Sequence, residues 1–157
     1  MTTASLHAVP LVAHLMTSGD WHVYQHKDAK GRDVYALIGY PHQKTGSHKK
    51  RKDTYILVTI KKGLGVPFFL TFVAGEQLNQ KSMVLFAFDK DQIKLLPQKD
   101  KALGASHEVD QKLIDHMGKH KILKVSSHFK KGEKTQDVYH LSGFKKAYQK
   151  LMSLMGV

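Results

Sequence analysis

Apolar and polar side chains alternate along much of the chain, and this pattern predicts short β-strands. Trp21 and Val23 alternate with more polar neighbours, and an apolar run returns at 34–40 after a turn signal at 28–31. Successive side chains of a strand point to opposite faces of a sheet, so such alternation is typical of a half-buried strand. The two runs and the turn between them predict a β-hairpin.

The same kind of pattern recurs through the middle and the end of the chain. Further strands are predicted at 55–60, 68–73, 83–88, 92–96, 122–129 and 136–141. The run at 68–73 is apolar on both faces, which indicates a strand buried on both sides or one at a sheet junction. Residues 97–105 lack a periodic pattern and are interpreted as a linker.

Two segments show helical spacing instead. The first is predicted to begin after Ser106, a suitable N-cap, and to end at Gly118. The second is predicted to begin after Ser142 and to end at Gly156, with one apolar stripe along its length. Both therefore resemble helices that pack one face onto a core.

This order of elements predicts a mainly β fold: an antiparallel β-sandwich or barrel-like sheet with two short helices, the last at the C-terminus. Residues 1–18 are interpreted as a leader or flexible N-terminal segment, and 19–157 as the β domain. The apolar stretch within 1–18 lacks a positive n-region and a good cleavage site, so it does not match an intact signal peptide. Trp21, the single Trp, is predicted to seal the core, with Tyr139 and Phe144 also inside it.

The charge balance indicates attraction to anions. The chain has 25 Lys and Arg against 13 Asp and Glu, a formal net charge of +12. The densest basic cluster gives four candidate polyanion contacts, Lys49, Lys50, Arg51 and Lys52. A solvated basic loop explains the same cluster, and both interpretations stay open.

No catalytic constellation is evident in the sequence. Cysteine is absent, which excludes disulfides and thiolate chemistry. The glycine-rich phosphate loops and the nucleophile-elbow motif are missing, and the paired carboxylates Asp89 and Asp91 fit an exposed turn better than an acid–base pair. We therefore assign no catalytic or cofactor-binding residues, no cofactor and no enzyme activity. No apolar run is long enough for a transmembrane helix.

Histidine is abundant, with 11 residues, and two pairs have the i, i+4 spacing of helical zinc motifs. His22 and His26 fall on a predicted strand, where that spacing separates them. His116 and His120 fall where Gly118 is expected to interrupt the helix. We therefore interpret the histidines as partly exposed polar residues and assign no metal ligand.

Several segments, in order along the chain, carry a family resemblance. The tail at 127–147 contains Ser, a basic residue, Gly, Thr, Asp, Tyr, Leu, Gly-Phe and Ala in succession; the segments at 19–21, 51–53 and 110–117 add looser matches. This pattern resembles the invasion-associated locus B family, over about 19–154. The resemblance implies an exported protein of the Gram-negative envelope, with a proposed role in host-cell invasion or colonisation and no accepted catalytic residues. The family pattern has Cys where this chain has Val34, and another at the end of its last helix, where this chain has none.

Three functional hypotheses follow, in order of preference. The first is a non-enzymatic exported or envelope-associated protein, periplasmic or secreted, that binds an unknown protein or a component of the envelope or host surface. The second is a basic module that binds a polyanion or nucleic acid. The third is a barrel that carries an apolar ligand in a cavity.

Overall fold

The fold, in a computed structural model, is one large antiparallel sheet with two helices. The structure describes residues 12–44, 51–61 and 68–155. Its elements are β1 (Val12–Ser18), β2 (Trp21–Lys27), β3 (Asp33–Gly39), β4 (Gln43–Lys44), β5 (Tyr55–Lys61), β6 (Phe69–Val73), β7 (Val84–Phe88), β8 (Asp91–Gln98), β9 (Lys101–Leu103), α1 (His107–Lys119), β10 (Ile122–His128), β11 (Lys134–His140) and α2 (Phe144–Ser153). The predicted class, mainly β and antiparallel with two helices, is confirmed.

The strands lie in the order β1-β2-β3-β5-β6-β9-β8-β7-β10-β11-β4, and the sheet does not close on itself. We call β1, β2, β3, β5 and β6 the first half, and β7, β8, β10 and β11 the second half. The short strand β9 pairs with β6 on one side and β8 on the other, so it joins the halves.

The inner faces of the two halves form a common core. Phe72 of the first half meets Phe86 of the second edge-on, with ring centroids 6.0 Å apart. The other large core side chains include Leu37, Ile56, Val58, Leu70, Phe88, Leu95 and Val125. Burial of these apolar side chains supplies the main stabilisation of such a domain.

Trp21 lies at the centre of one end of this core, as predicted. Its side chain is fully buried and its Nε1–H donates a 2.9 Å hydrogen bond to the carbonyl oxygen of His140. The rings of Phe144 and Tyr139, also buried as predicted, lie 4.9 and 6.3 Å away. Gly39 packs directly on the indole, since a Cβ there would lie 2.2 Å from a ring carbon.

Helix α1 begins as predicted but ends later. The Ser106 side chain accepts a hydrogen bond from the Val109 N–H, which is the expected N-cap. The helix continues through Gly118 to Lys119, so the prediction that Gly118 interrupts it was wrong. No atom outside the helix lies within 4 Å of a Cβ built at Gly118, and this exposed position tolerates the glycine within the helix.

Helix α2 is capped by Gly143, not by the predicted Ser142. Gly143 has a φ of +89° and makes no side-chain cap. A Cβ at this residue would lie 2.5 Å from the Ser18 carbonyl oxygen, so the close approach of β1 favours glycine here. The helix buries Phe144, Ala147 and Leu151 against the sheet.

Two further boundaries differ from the sequence predictions. The sheet begins at Val12, before the expected start near Gly19, because β1 pairs along its length with β2. The predicted linker at 97–105 contains the end of β8 and the whole of β9. Three residues are too few to show a periodic pattern, and β9 is stabilised by pairing Ala102 with Phe72.

Candidate functional site

The outer face of the first half forms an apolar depression. We call it the outer groove; its volume is about 480 Å³. Its lining residues are Val12, Tyr24, His26, Val34, Ala36, Ile38, Tyr40, Leu57 and Thr59. None of them is Asp, Glu, Lys or Arg.

Strand register places these side chains together. Tyr24 pairs with Ala36, which pairs with Thr59, while Ile38 of β3 pairs with Leu57 of β5. Residues directly opposite one another across antiparallel strands point to the same face. One face of an antiparallel sheet commonly faces water and is polar, and the apolar lining of the outer groove departs from that pattern.

Two polar groups in the outer groove are incompletely solvated. The His26 Nε2 atom is buried and has no hydrogen-bond partner among the described residues. Burial raises the pKa of the Tyr40 hydroxyl, and the neighbouring Tyr24 and Asp53 raise it further. The groove therefore offers a few oriented polar groups within an apolar wall, a composition typical of ligand sites.

The outer face of the second half has a different composition. Lys94, Lys124 and Gln136 are exposed there, and Ser126 lies between them on β10. A second cavity, also about 480 Å³, lies near the end of this face and is lined in part by Asp89, Lys121 and Lys124. This surface combines exposed lysines with the exposed apolar side chain of Ile122, which also lines the second cavity.

The predicted polyanion contacts Lys49, Lys50, Arg51 and Lys52 divide into three cases. Lys49 and Lys50 lie outside the described residues, and Lys52 is exposed. Arg51 has a fully buried side chain, so it is not positioned to contact a polyanion. Its guanidinium donates two hydrogen bonds, of 2.6 and 2.5 Å, to the carboxylate of Asp137.

Arg51 connects the two halves of the sheet. It precedes β5, whereas Asp137 lies on β11, and the Arg51 Nε–H also donates a 2.7 Å hydrogen bond to the Ala74 carbonyl. The guanidinium carbon lies 5.1 Å from the centre of the Phe129 ring. Burial is the main cause that raises the pKa of the Tyr139 hydroxyl well above its usual value, and the charge on Asp137 raises it further.

Both partners of this ion pair lie in segments that carry the sequence resemblance. Arg51 belongs to the 51–53 match and Asp137 to the tail pattern, and sequence alone did not pair them. Ser127 and Thr135 of the same tail are buried opposite each other on β10 and β11. The side chains of these four matching residues are therefore buried within the fold.

Two groups within the described residues bring two histidines and an aspartate together. Asp20, His42 and His140 form one, in which the two imidazole rings stack with centroids 3.9 Å apart. Asp91, His116 and His120 form the other. The pair on β2 separates as expected, since His26 lines the outer groove and His22 hydrogen-bonds to Thr17 instead.

Comparison with known proteins finds a likeness in structure alone. No family model and no curated protein matches the sequence. The crystal structure of invasion associated protein B from Bartonella henselae matches with a TM-score of 0.60, covering 92% of this chain and 99% of that chain. The chain has the fold of invasion associated protein B. The two sequences are 13% identical, so the likeness concerns the fold, and at that level the sequence resemblance is confirmed.

The fold of invasion associated protein B is present here without any cysteine. In this chain the buried Arg51–Asp137 pair and the Trp21 cluster tie strands that are distant in sequence. Within the described residues, no helix has the length and apolar character needed to cross a membrane.

Proposed function

We propose that the chain is a non-enzymatic exported binding protein that holds the apolar body of a small acidic amphiphile in the outer groove. The observation that carries this proposal is the groove itself, an apolar depression on a sheet face that the fold does not require to be apolar. Export to the periplasm or beyond is the location that the resemblance to the invasion-associated locus B family implies, and a role in host invasion or colonisation belongs to the same proposal.

The size and lining of the groove favour a small ligand. Its volume of about 480 Å³ falls within the range of about 300–1,000 Å³ that is common for ligand sites. The walls are formed by residues of the four strands β1, β2, β3 and β5 and by Tyr40, which follows β3. Sites built on strands are more rigid than sites on loops. A preformed apolar wall favours an apolar body over a polar one.

Charge and hydrogen bonding favour an acidic head group. The net charge of +12 attracts anions to the whole molecule. The buried His26 Nε2 has no partner among the described residues and is available to hydrogen-bond a ligand atom at the groove wall. An acidic amphiphile satisfies both the apolar wall and the positive field.

The test uses 1-anilinonaphthalene-8-sulfonate, an aromatic anion whose fluorescence rises in apolar sites, with dodecanoate as competitor. We expect saturable binding at one site and displacement by dodecanoate. Ile38→Ser and Leu57→Ser should each weaken binding by about 10-fold, since each removes apolar surface worth about 1–2 kcal/mol.

Leu96→Ser is the matched control. Leu96 is 45% exposed and lies outside the groove, so its replacement should leave dye binding unchanged. Circular dichroism should show that all variants keep their β structure, because partly unfolded chains also bind this dye. Equal binding by the groove variants and the wild type would overturn the ligand proposal, and protein found only in the cytoplasm on cell fractionation would overturn the export.

A second candidate function is polyanion binding. It is favoured by the exposed lysines on the outer face of the second half, Lys94 and Lys124, and by exposed Lys52. Polyanion contacts by Lys49 and Lys50 stay a prediction, because both residues lie outside the described part of the chain. Salt titration of heparin binding tests this candidate independently of the groove.

A further inference from the structure

Two histidines and an aspartate meet where the end of α1 lies against the β7–β8 hairpin. His116 is in the last turn of α1, and His120 is the residue that caps it. Asp91 is the first residue of β8. Because the helix continues through Gly118, residues four apart remain on one side of it, which is the spacing that helical zinc motifs use.

The distances between their ligand atoms suit a single ion. The His116 Nδ1 and His120 Nε2 atoms lie 3.3 Å apart, and an Asp91 carboxylate oxygen lies 3.9 Å from the His116 Nδ1. Metal–nitrogen bonds of about 2.0–2.1 Å at a tetrahedral angle separate two ligand nitrogens by about 3.3–3.4 Å. The histidine pair, joined in the structure by a hydrogen bond between these two nitrogens, therefore has the spacing of two zinc ligands, and a carboxylate oxygen of Asp91 lies within 4.8 Å of both nitrogens.

A core side chain, Phe88, packs against the imidazole rings of His116 and His120. Phe88 is fully buried, and its ring lies 5.1 Å from the His116 ring and 5.6 Å from the His120 ring, centroid to centroid. The two imidazoles themselves lie 5.4 Å apart at 21°. A pair of ligands held by packing needs little reordering when it binds an ion.

We propose that His116, His120 and Asp91 bind one divalent transition-metal ion, with zinc as the ion of first choice. Two imidazole nitrogens and one carboxylate oxygen suit zinc, and they do not suit calcium or magnesium, which take oxygen ligands. Three protein ligands leave a fourth tetrahedral position for water or an anion.

The surroundings of the site indicate what occupies the fourth position. His120 also lines the cavity that contains Asp89, Lys121 and Lys124. The two lysines oppose a bare cation but stabilise an anion bound beside it. The metal and a small anion should therefore bind with mutual reinforcement.

The test measures Zn²⁺ affinity by competition with a chromophoric chelator, and ligand geometry by the visible spectrum of the Co²⁺ form. We expect one ion per chain and the intense absorption of tetrahedral Co²⁺. His120→Gln should weaken binding by at least about 100-fold, since even removing a group behind a ligand costs about 10- to 100-fold.

Asp91 gives a variant that leaves the fold intact, because its side chain is 63% exposed. Asp91→Cys should add a near-ultraviolet thiolate-to-Co²⁺ charge-transfer band, in a chain that otherwise has no cysteine. Absence of that band in a folded, Co²⁺-loaded variant would exclude residue 91 as a ligand and overturn the three-residue site.

His42→Gln is the matched control, because His42 belongs to the other histidine cluster. It should retain the ion and the Co²⁺ spectrum. Failure of the wild type to bind Zn²⁺, equal binding by wild type and His120→Gln, or loss of the ion in His42→Gln alone would each overturn the proposal.

Discussion

The inner faces of the two halves of the sheet are alike, but their outer faces differ. Both inner faces are mainly apolar and meet at the Phe72–Phe86 contact, and the second also buries Ser127, Thr135 and Asp137. The outer face of the first half carries Tyr24, Ile38 and Leu57, whereas Lys124 represents the outer face of the second.

This difference separates the requirements of folding from those of binding. A stable sheet needs one apolar face on the core, and the second half shows that an outer face with lysines among its apolar side chains is compatible with this fold. The apolar outer face of the first half is therefore not explained by folding. We infer that it is explained by contact with a ligand.

The largest expected effect is a loss of stability when the buried Arg51–Asp137 ion pair, which connects the two halves, is broken. Asp137→Ala should lower the free energy of unfolding by about 3–5 kcal/mol, because it leaves the Arg51 charge buried without its main partner. Urea denaturation measures the loss. The double variant Arg51→Met, Asp137→Leu should recover most of it, and a loss in the double variant as large as in the single one would contradict this account.

The next effect tests close packing inside the first half. Gly39→Ala should destabilise the protein by about 2–3 kcal/mol, because the new Cβ would overlap the Trp21 ring. Gly118→Ala is the control, since nothing outside the helix crowds this position and alanine favours helix. Thermal melts should show a gain of about 0.5–1 kcal/mol for Gly118→Ala, and a neutral Gly39→Ala would show that the indole moves freely.

A smaller effect is expected on the salt dependence of heparin binding, which can be compared between the two halves. Replacing Lys94 and Lys124 with Gln should reduce the slope of log affinity for heparin against log salt concentration by about 1–2. Replacing Lys27 and Lys30 of the first half is the control, and here the change should be smaller because Lys27 already pairs with Asp33 at 2.7 Å. Equal changes for the two pairs would remove the distinction between the faces.

The smallest effect concerns Asp110 of α1, whose carboxylate accepts a hydrogen bond from the Leu70 N–H of β6. Burial raises the pKa of the Asp110 carboxyl above its ordinary value of 3.8, so the folded state binds this proton more tightly than the unfolded state does. Stability from this group is therefore present at low pH and lost as pH rises through the folded-state pKa. The Asp110→Asn variant has no carboxyl group at this position, so it lacks this contribution to the pH dependence of stability.

Urea denaturation of wild type and Asp110→Asn between about pH 4 and pH 7 measures the difference. The free energy of unfolding of the wild type should fall relative to that of the variant as pH rises. A relative rise would mean that the carboxylate is better stabilised in the folded protein than in the unfolded chain.

Much of the fold was predictable because its signals are local. Alternation along 21–27 and 34–40, the Ser106 cap and the apolar stripe of α2 each depend on residues near one another in sequence. Strand β1 and strand β9 were missed because partners elsewhere in the sheet stabilise them and their own sequences do not indicate strands. The same reason applies to Arg51: the local sequence does not distinguish it from its basic neighbours, and only the contact with the distant Asp137 does.

The sequence by itself determined the fold class, the core aromatics Trp21, Tyr139 and Phe144, and the excess of positive charge. Only the tertiary structure decided which outer face is apolar, that Arg51 is buried, and that His116, His120 and Asp91 share one site. Periodicity shows that a strand has two faces, but strand order and register decide which side chains meet on each face. These long-range pairings are not present in any local stretch of the chain.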